Sequence, residues 1–209
     1  MGNRADNIEN AIAAYNNALT IYTQEAFPEY WANTQNNLAN AYQERILGNR
    51  ADNIENAIAA CTAALTIRIR ETFPQDWAMT QNNLGLAYWG RIKGDRADNI
   101  ENAITVFTNA LTVRTKEDFP QSWAMTQKNL GLAYWSRIKG NRADNTENAI
   151  AAYTNALIIY TKEAFPQDWA MTQNNLGLAY WGRVKGDRAD NIENAIAVFT
   201  NALTVSWTL

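Results

Sequence analysis

Histidine is absent from the 209 residues. That removes the side chain that most often serves as general base or metal ligand near neutral pH. There is a single cysteine, Cys61, so no internal disulfide can form. No apolar run approaches the roughly 18 residues that a membrane span needs. No basic-then-apolar leader with a small-residue cleavage site is expected either. An excess of basic charge is also missing: Lys and Arg number 18 against 21 Asp and Glu, for a net charge of −3. This argues against a nucleic-acid partner held by bulk electrostatics. Together these absences predict a soluble protein of a reducing compartment, the cytoplasm, with no nucleic-acid or membrane partner. No nucleophile–base pair and no Gly-rich phosphate loop stands out, so no catalytic residue, metal ligand or cofactor is expected.

What the chain does have is repetition. The stretch TQNNLGLAYWGRIKGDRADNIENAI fills residues 80–104 and returns at 172–196 with one change, Ile92 to Val184. A Gly-(Asn/Asp)-Arg-Ala-Asp block opens at Gly2, Gly48, Gly94, Gly140 and Gly186, always 46 residues on. Trp31, Trp77, Trp123 and Trp169 keep the same interval, as do Phe27-Pro28, Phe73-Pro74, Phe119-Pro120 and Phe165-Pro166. A fixed period of this size signals an array of stacked units. We divide the chain into a half-repeat at 1–30, repeats at 31–76, 77–122 and 123–168, and a shortened repeat at 169–209.

Each repeat reads as two helices. The first runs roughly from Asp76 to Lys93, with Trp77, Thr80, Leu84, Tyr88 and Ile92 at helical spacing. Asp76, Ser122 and Asp168 are its expected N-caps, and Gly94 is suited to end it. The second begins with an Asp-x-x-Glu capping box, found at Asp6, Asp52, Asp98, Asp144 and Asp190. Its apolar stripe is Ile100, Ala103, Ile104, Phe107, Ala110 and Leu111, and Phe119-Pro120 closes it. Ten of the 21 acidic residues fall in these boxes, so capping explains them better than paired catalytic carboxylates do. One hairpin cannot bury its apolar face alone, and stacked copies make a continuous core.

The pattern Leu84-Gly85-x-x-Tyr88 followed by Ala103-x-x-x-Phe107-x-x-Ala110 resembles the tetratricopeptide repeat. It recurs as Leu130-Gly131, Tyr134, Ala149, Tyr153, Ala156 and as Leu176-Gly177, Tyr180, Ala195, Phe199, Ala202. The family period is about 34 residues, so the longer period here predicts longer helices, of roughly 17 to 22 residues. The long form, with TQNNLG, is similar to repeats of bacterial, especially cyanobacterial, multidomain signalling proteins and to kinesin-light-chain repeats. The resemblance implies an all-α, right-handed superhelical solenoid of nine helices whose first helices line a concave face. It also implies a non-enzymatic scaffold binding an extended peptide or a partner helix.

The candidate binding stripe on the first helices comprises Met79, Asn82, Asn83, Leu86 and Trp89 in one repeat. The next two carry Met125, Lys128, Asn129, Leu132 and Trp135, then Met171, Asn174, Asn175, Leu178 and Trp181. The first repeat breaks the pattern with Asn33, Asn36, Asn37, Asn40, Gln43 and Glu44. Asn37, Asn83, Asn129 and Asn175 form a ladder of amides able to pair with a peptide backbone; peptide-binding members of the family use Asn in this way. Such amides equally solvate a surface or bond across neighbouring helices. The three tryptophans either line an aromatic groove or pack on the next repeat. Lys93, Lys139 and Lys185 would favour an acidic flank. Cys61 stands where other repeats carry Tyr15, Phe107, Tyr153 and Phe199, and reads as a small core residue.

Neither end shows an evident polar cap. Helix 5–26 lacks a preceding first helix, so part of Ile8, Ala11, Ile12, Tyr15 and Leu19 should be open, and SWTL closes the sequence. Head-to-tail self-association through such ends, or a spacer role within a larger signalling protein, is the alternative function.

Overall fold

The computed structural model describes residues 3–204. Among them are nine α-helices and no strand: α1 Arg4–Leu19, α2 Pro28–Glu44, α3 Arg50–Ala64, α4 Pro74–Trp89, α5 Arg96–Leu111, α6 Pro120–Trp135, α7 Arg142–Ile159, α8 Pro166–Trp181 and α9 Arg188–Leu203. We call the even-numbered helices A and the odd-numbered ones B. One compact unit ends at Val113 and a second begins at Arg114. In the first, α2 packs between α1 and α3, and α4 between α3 and α5. In the second, α7 packs on both α6 and α8, and α9 on α8. No described helix is long and apolar enough to cross a membrane. SWTL lies outside the described residues.

Helix starts differ from the sequence expectation. Each A helix begins at proline, with Phe27, Phe73, Phe119 or Phe165 at the N-cap and no side-chain capping bond. Proline suits this first position because it has no N–H to satisfy and its φ is preset. Asp76 and Asp168 therefore sit inside the first turn, where they complement the helix dipole rather than cap it. Phe-Pro thus opens an A helix, and the B helix before it ends earlier; α5 ends at Leu111. The B helices are capped by Asn3, Asn49, Asp95, Asn141 and Asp187, three residues before the expected Asp, and each side chain accepts from a first-turn N–H. Seven of the nine described helices are also shorter than expected, at 15 or 16 residues, while α2 with 17 and α7 with 18 fall in the expected range. Gly94 does adopt the left-handed conformation, at φ +79°, but within the turn after α4 rather than at its end.

The box glutamates have a different task. Arg45 grips Glu9 with two bonds of 2.7 Å, Arg91 grips Glu55 and Arg183 grips Glu147 with two of 2.8 Å each. Every pair joins a B helix to the turn after the next A helix. The same guanidiniums reach the buried Asn53, Asn99 and Asn191, whose amides donate to Leu47, Lys93 and Lys185 carbonyls at 2.8–2.9 Å. Arg50, Arg96, Arg142 and Arg188, at the first B position, donate back to the last residues of the A helices, Gln43, Trp89, Trp135 and Trp181. GDRADNIEN is therefore largely a fastening of turns.

Within a hairpin, the helices approach through glycine. A Cβ on Gly85 would lie 2.5 Å from the Phe107 ring, one on Gly131 2.7 Å from Tyr153, and one on Gly177 2.6 Å from Phe199. The first repeat has Ala39 at this position and Cys61 opposite, and both are buried in one cluster. The extra methyl and the missing ring offset one another.

Gly85→Ala should destabilise the chain by about 1–3 kcal/mol through overpacking. Combined with Phe107→Cys, the loss should be clearly smaller than the sum of the single losses in urea unfolding; simple additivity would refute the pairing. Arginine hydrogen bonds hold Glu55 and Glu147 below their ordinary value of 4.5. A depressed folded-state value contributes stability above pH 4.5 that is lost as pH falls through the folded value. The melting temperature should drop on acidification below that point, and less steeply in Glu55→Gln; parallel curves would remove the pair from the account.

Candidate functional site

The A helices carry the sequence-predicted stripe, and the two units present it differently. In the first unit Asn37 is exposed, while Met79, Asn83, Leu86 and Trp89 are half-buried. Asn82 faces protein, with 1 % of its surface accessible. The Asn83 side-chain amide donates to Asn36 Oδ1 at 3.1 Å, from α4 to α2, and the Asn83 main-chain carbonyl accepts from Gln43 Nε2 at 3.1 Å. Asn83 is thus engaged across helices, as the structural reading of the ladder anticipates.

Asn36 belongs to a buried polar cluster that sequence reasoning did not single out. The Thr80 hydroxyl lies 3.2 Å from Asn36 Oδ1 and accepts from Arg68 at 2.7 Å. Arg68 also donates to Asn33 and lies 3.8 Å from Asp76. Burial lowers the Arg68 pKa, partly opposed by the Asp76 charge. The signal was the column Tyr22, Arg68, Arg114, Tyr160, 46 residues apart, with cations in the two middle places and rings in the outer two.

In the second unit Met125, Lys128, Leu132 and Trp135 are half-buried and Asn129 is buried. Lys128 donates to Asp168 at 2.7 Å and lies 5.6 Å from the Tyr160 ring centre. It therefore links α6 to α8. Arg114 is buried, donates to Thr126 at 2.9 Å, and is brought down to about 10 by desolvation. The Trp135 ring lies over Gly182, where a Cβ would come within 2.4 Å of it, and Arg142 covers it at 4.3 Å from the ring centre. Trp135 thus packs on the next A helix. On α8, by contrast, Met171, Asn174, Leu178 and Trp181 are exposed and Asn175 is half-buried; Met171 reaches 53 % and Trp181 59 %.

Among the described residues no group of three His, Cys, Asp or Glu could hold a metal ion. Cys61 is buried, and desolvation pushes its thiol up to about 12, so little thiolate forms at neutral pH.

No protein-family model matches the chain, and no curated protein does. Among solved structures, the chain superposes on BtubC (BKLC) from P. vanneervenii, a kinesin-light-chain-like repeat protein, with a TM-score of 0.70. The match covers 94 % of this chain and 72 % of that one, at 22 % identity. The fold is that of a tetratricopeptide-type repeat. The first helix of each hairpin, which the sequence pattern marked, is the A helix of this fold.

The adjacent amides Asn36 and Asn37 should behave differently. Asn36→Ala strips partners from Thr80 and Asn83 and should cost about 1–3 kcal/mol. Asn37→Ala, on the exposed side, should stay within about 0.5 kcal/mol. Equal melting temperatures for the two variants would contradict the buried cluster.

Proposed function

We propose that this chain is a non-enzymatic interaction scaffold that holds an extended peptide or a partner helix along its A-helix face. The fold supports a protein-interaction scaffold in general. The observation that carries the finer reading is the stripe on α8. Met171, Leu178 and Trp181 are exposed apolar side chains at helical spacing, with Asn174 and Asn175 between them. Apolar anchors interleaved with amides suit a ligand that buries side chains while its backbone finds hydrogen bonds. Met125 and Leu132 continue this chemistry on α6. Met79, Leu86 and Asn37 offer the same chemistry in the first unit. In this reading Asn83 and Asn129 shape the surface, and the methionines and leucines contribute most of the affinity.

A second reading is a self-assembling or spacer array. The Asn83–Asn36 bond and the Trp135–Gly182 contact favour it, because both use stripe residues for stacking.

A random peptide library selected against the chain separates the two. The scaffold reading expects a recurring motif whose affinity falls at least about tenfold in Leu178→Asp, and less in Asn175→Ala, with unchanged melting curves. No enrichment, together with a mass that rises with concentration in light scattering, would favour the array reading.

A further inference from the structure

One column of large apolar residues stands in solvent at every repeat. Ile46, Ile92, Ile138 and Val184 lie 46 residues apart, in the turns that lead from A helices to B helices, and are 59–68 % exposed. Single apolar side chains on a surface are ordinary. This column differs, because its exposure follows from the repeat itself. Ile92 has the Ile46 turn before it in the same unit and is no less exposed. The main chain beside each side chain is also fastened. The next residue offers its carbonyl to a buried asparagine in all four turns: Leu47 to Asn53, Lys93 to Asn99, Lys139 to Asn145 and Lys185 to Asn191. A glycine at φ +79° follows each time. The turn therefore cannot tuck its isoleucine away without breaking these bonds.

The first unit carries the most apolar version. Leu47 stands where the later turns have Lys93, Lys139 and Lys185, and it is exposed beside Ile46. Ile46, Leu47 and Ile92 thus face solvent on two turns one repeat apart. Charges of both signs lie next to them. Lys93 pairs with Asp52 at 2.8 Å, both side chains more than half exposed. A lysine already neutralised by a carboxylate draws little from an anionic lipid surface. A stable protein contact buries on the order of 1,000 Å², so one isoleucine is not enough and a partner must engage both turns at once. That partner needs apolar groups at the interval of this repeat, with an acid and a base among them. A second copy of this chain meets both conditions by construction.

We propose that the two A-to-B turns of the first unit form a self-association surface that joins two copies side by side about a two-fold axis. Ile46 and Leu47 of one copy pack on Ile92 of the other, and the reverse contact follows by symmetry. The exposed Lys93 and Asp52 exchange partners across the contact. Such a pairing closes at two copies, unlike head-to-tail stacking, and it uses neither the α8 stripe nor the scaffold reading.

The test is sedimentation of the whole chain over a range of concentrations. The mass should rise from that of one chain to that of two and stop there. Leu47→Lys, which makes the first turn like the others, should weaken the pair at least about tenfold. Ile46→Asp combined with Ile92→Asp should leave a single chain with an unchanged melting temperature, because both positions are exposed. Ile46→Lys with Ile92→Lys should do the same, and a mixture of the two double variants should pair again. Ile138→Asp with Val184→Asp, and Leu178→Asp, should leave the pair intact. The proposal is overturned if the chain stays single at millimolar concentration, or if the oppositely charged variants fail to pair when mixed. Mass that grows past two copies and ignores the first-unit variants belongs to end-to-end stacking and equally overturns it. So does a library-selected peptide that loses its affinity in the Asp double variant while the unmodified chain stays single, because the surface then serves a foreign ligand.

Discussion

The arginine that follows an A helix has donors pointing in three directions, and the way they are satisfied governs the stacking of the repeats. In Arg45, Arg91 and Arg183 two donors go to a glutamate on the preceding B helix and a third to a buried asparagine at the start of the next one. A planar fork meeting a carboxylate with two bonds fixes angle as well as distance. Such partly exposed pairs add little net stability on their own. Their contribution is to geometry: the preceding B helix, the turn and the following B helix are positioned by one side chain. The buried asparagine needs the turn carbonyl, the turn needs glycine at φ +79°, and the glutamate must fall on the correct face of its helix.

Once repeats are held in that register, the space between helices is set, and side chains adjust to it in pairs. Gly85 with Phe107, Gly131 with Tyr153 and Gly177 with Phe199 are one solution; Ala39 with Cys61 is the other. The cysteine thus has a packing explanation that needs no reactivity. The same logic divides the A-helix face. Trp135 lies on Gly182, whereas Trp181 stands out from α8. Identical residues in identical sequence contexts therefore have different roles, depending on whether an A helix of the same unit stacks on them.

Much of this was legible in the sequence, because period, helix pattern and proline positions are local signals. The caps were misplaced because Asp-Arg-Ala-Asp and Asp-Asn-Ile-Glu both look like a helix start. The decision came from Arg91, 36 residues beyond Glu55, which claims the glutamate more strongly than a backbone N–H would. No local window contains that competitor. The Asn36–Asn37 pair shows the same limit. Neighbouring helical positions differ by about 100° in direction, and only the placement of α4 determines that Asn36 is buried and Asn37 exposed. The column Tyr22, Arg68, Arg114, Tyr160 was readable in principle, since the exchange of a ring for a cation at one position of an otherwise kept repeat is unusual for a surface.

Near-verbatim repetition makes the differences between repeats the informative part. Columns that pack cannot drift singly, as Ala39 and Cys61 show. Other columns change from one repeat to the next. Asn33, Met79, Met125 and Met171 form one such column, and Glu44, Gly90, Ser136 and Gly182 another. The first changes the chemistry of the A-helix face while keeping the helix beneath it. The second alters the room available to an incoming aromatic ring without disturbing the B helix behind it. Both columns change while the bidentate Arg–Glu fastening is kept, because that fastening makes no use of either.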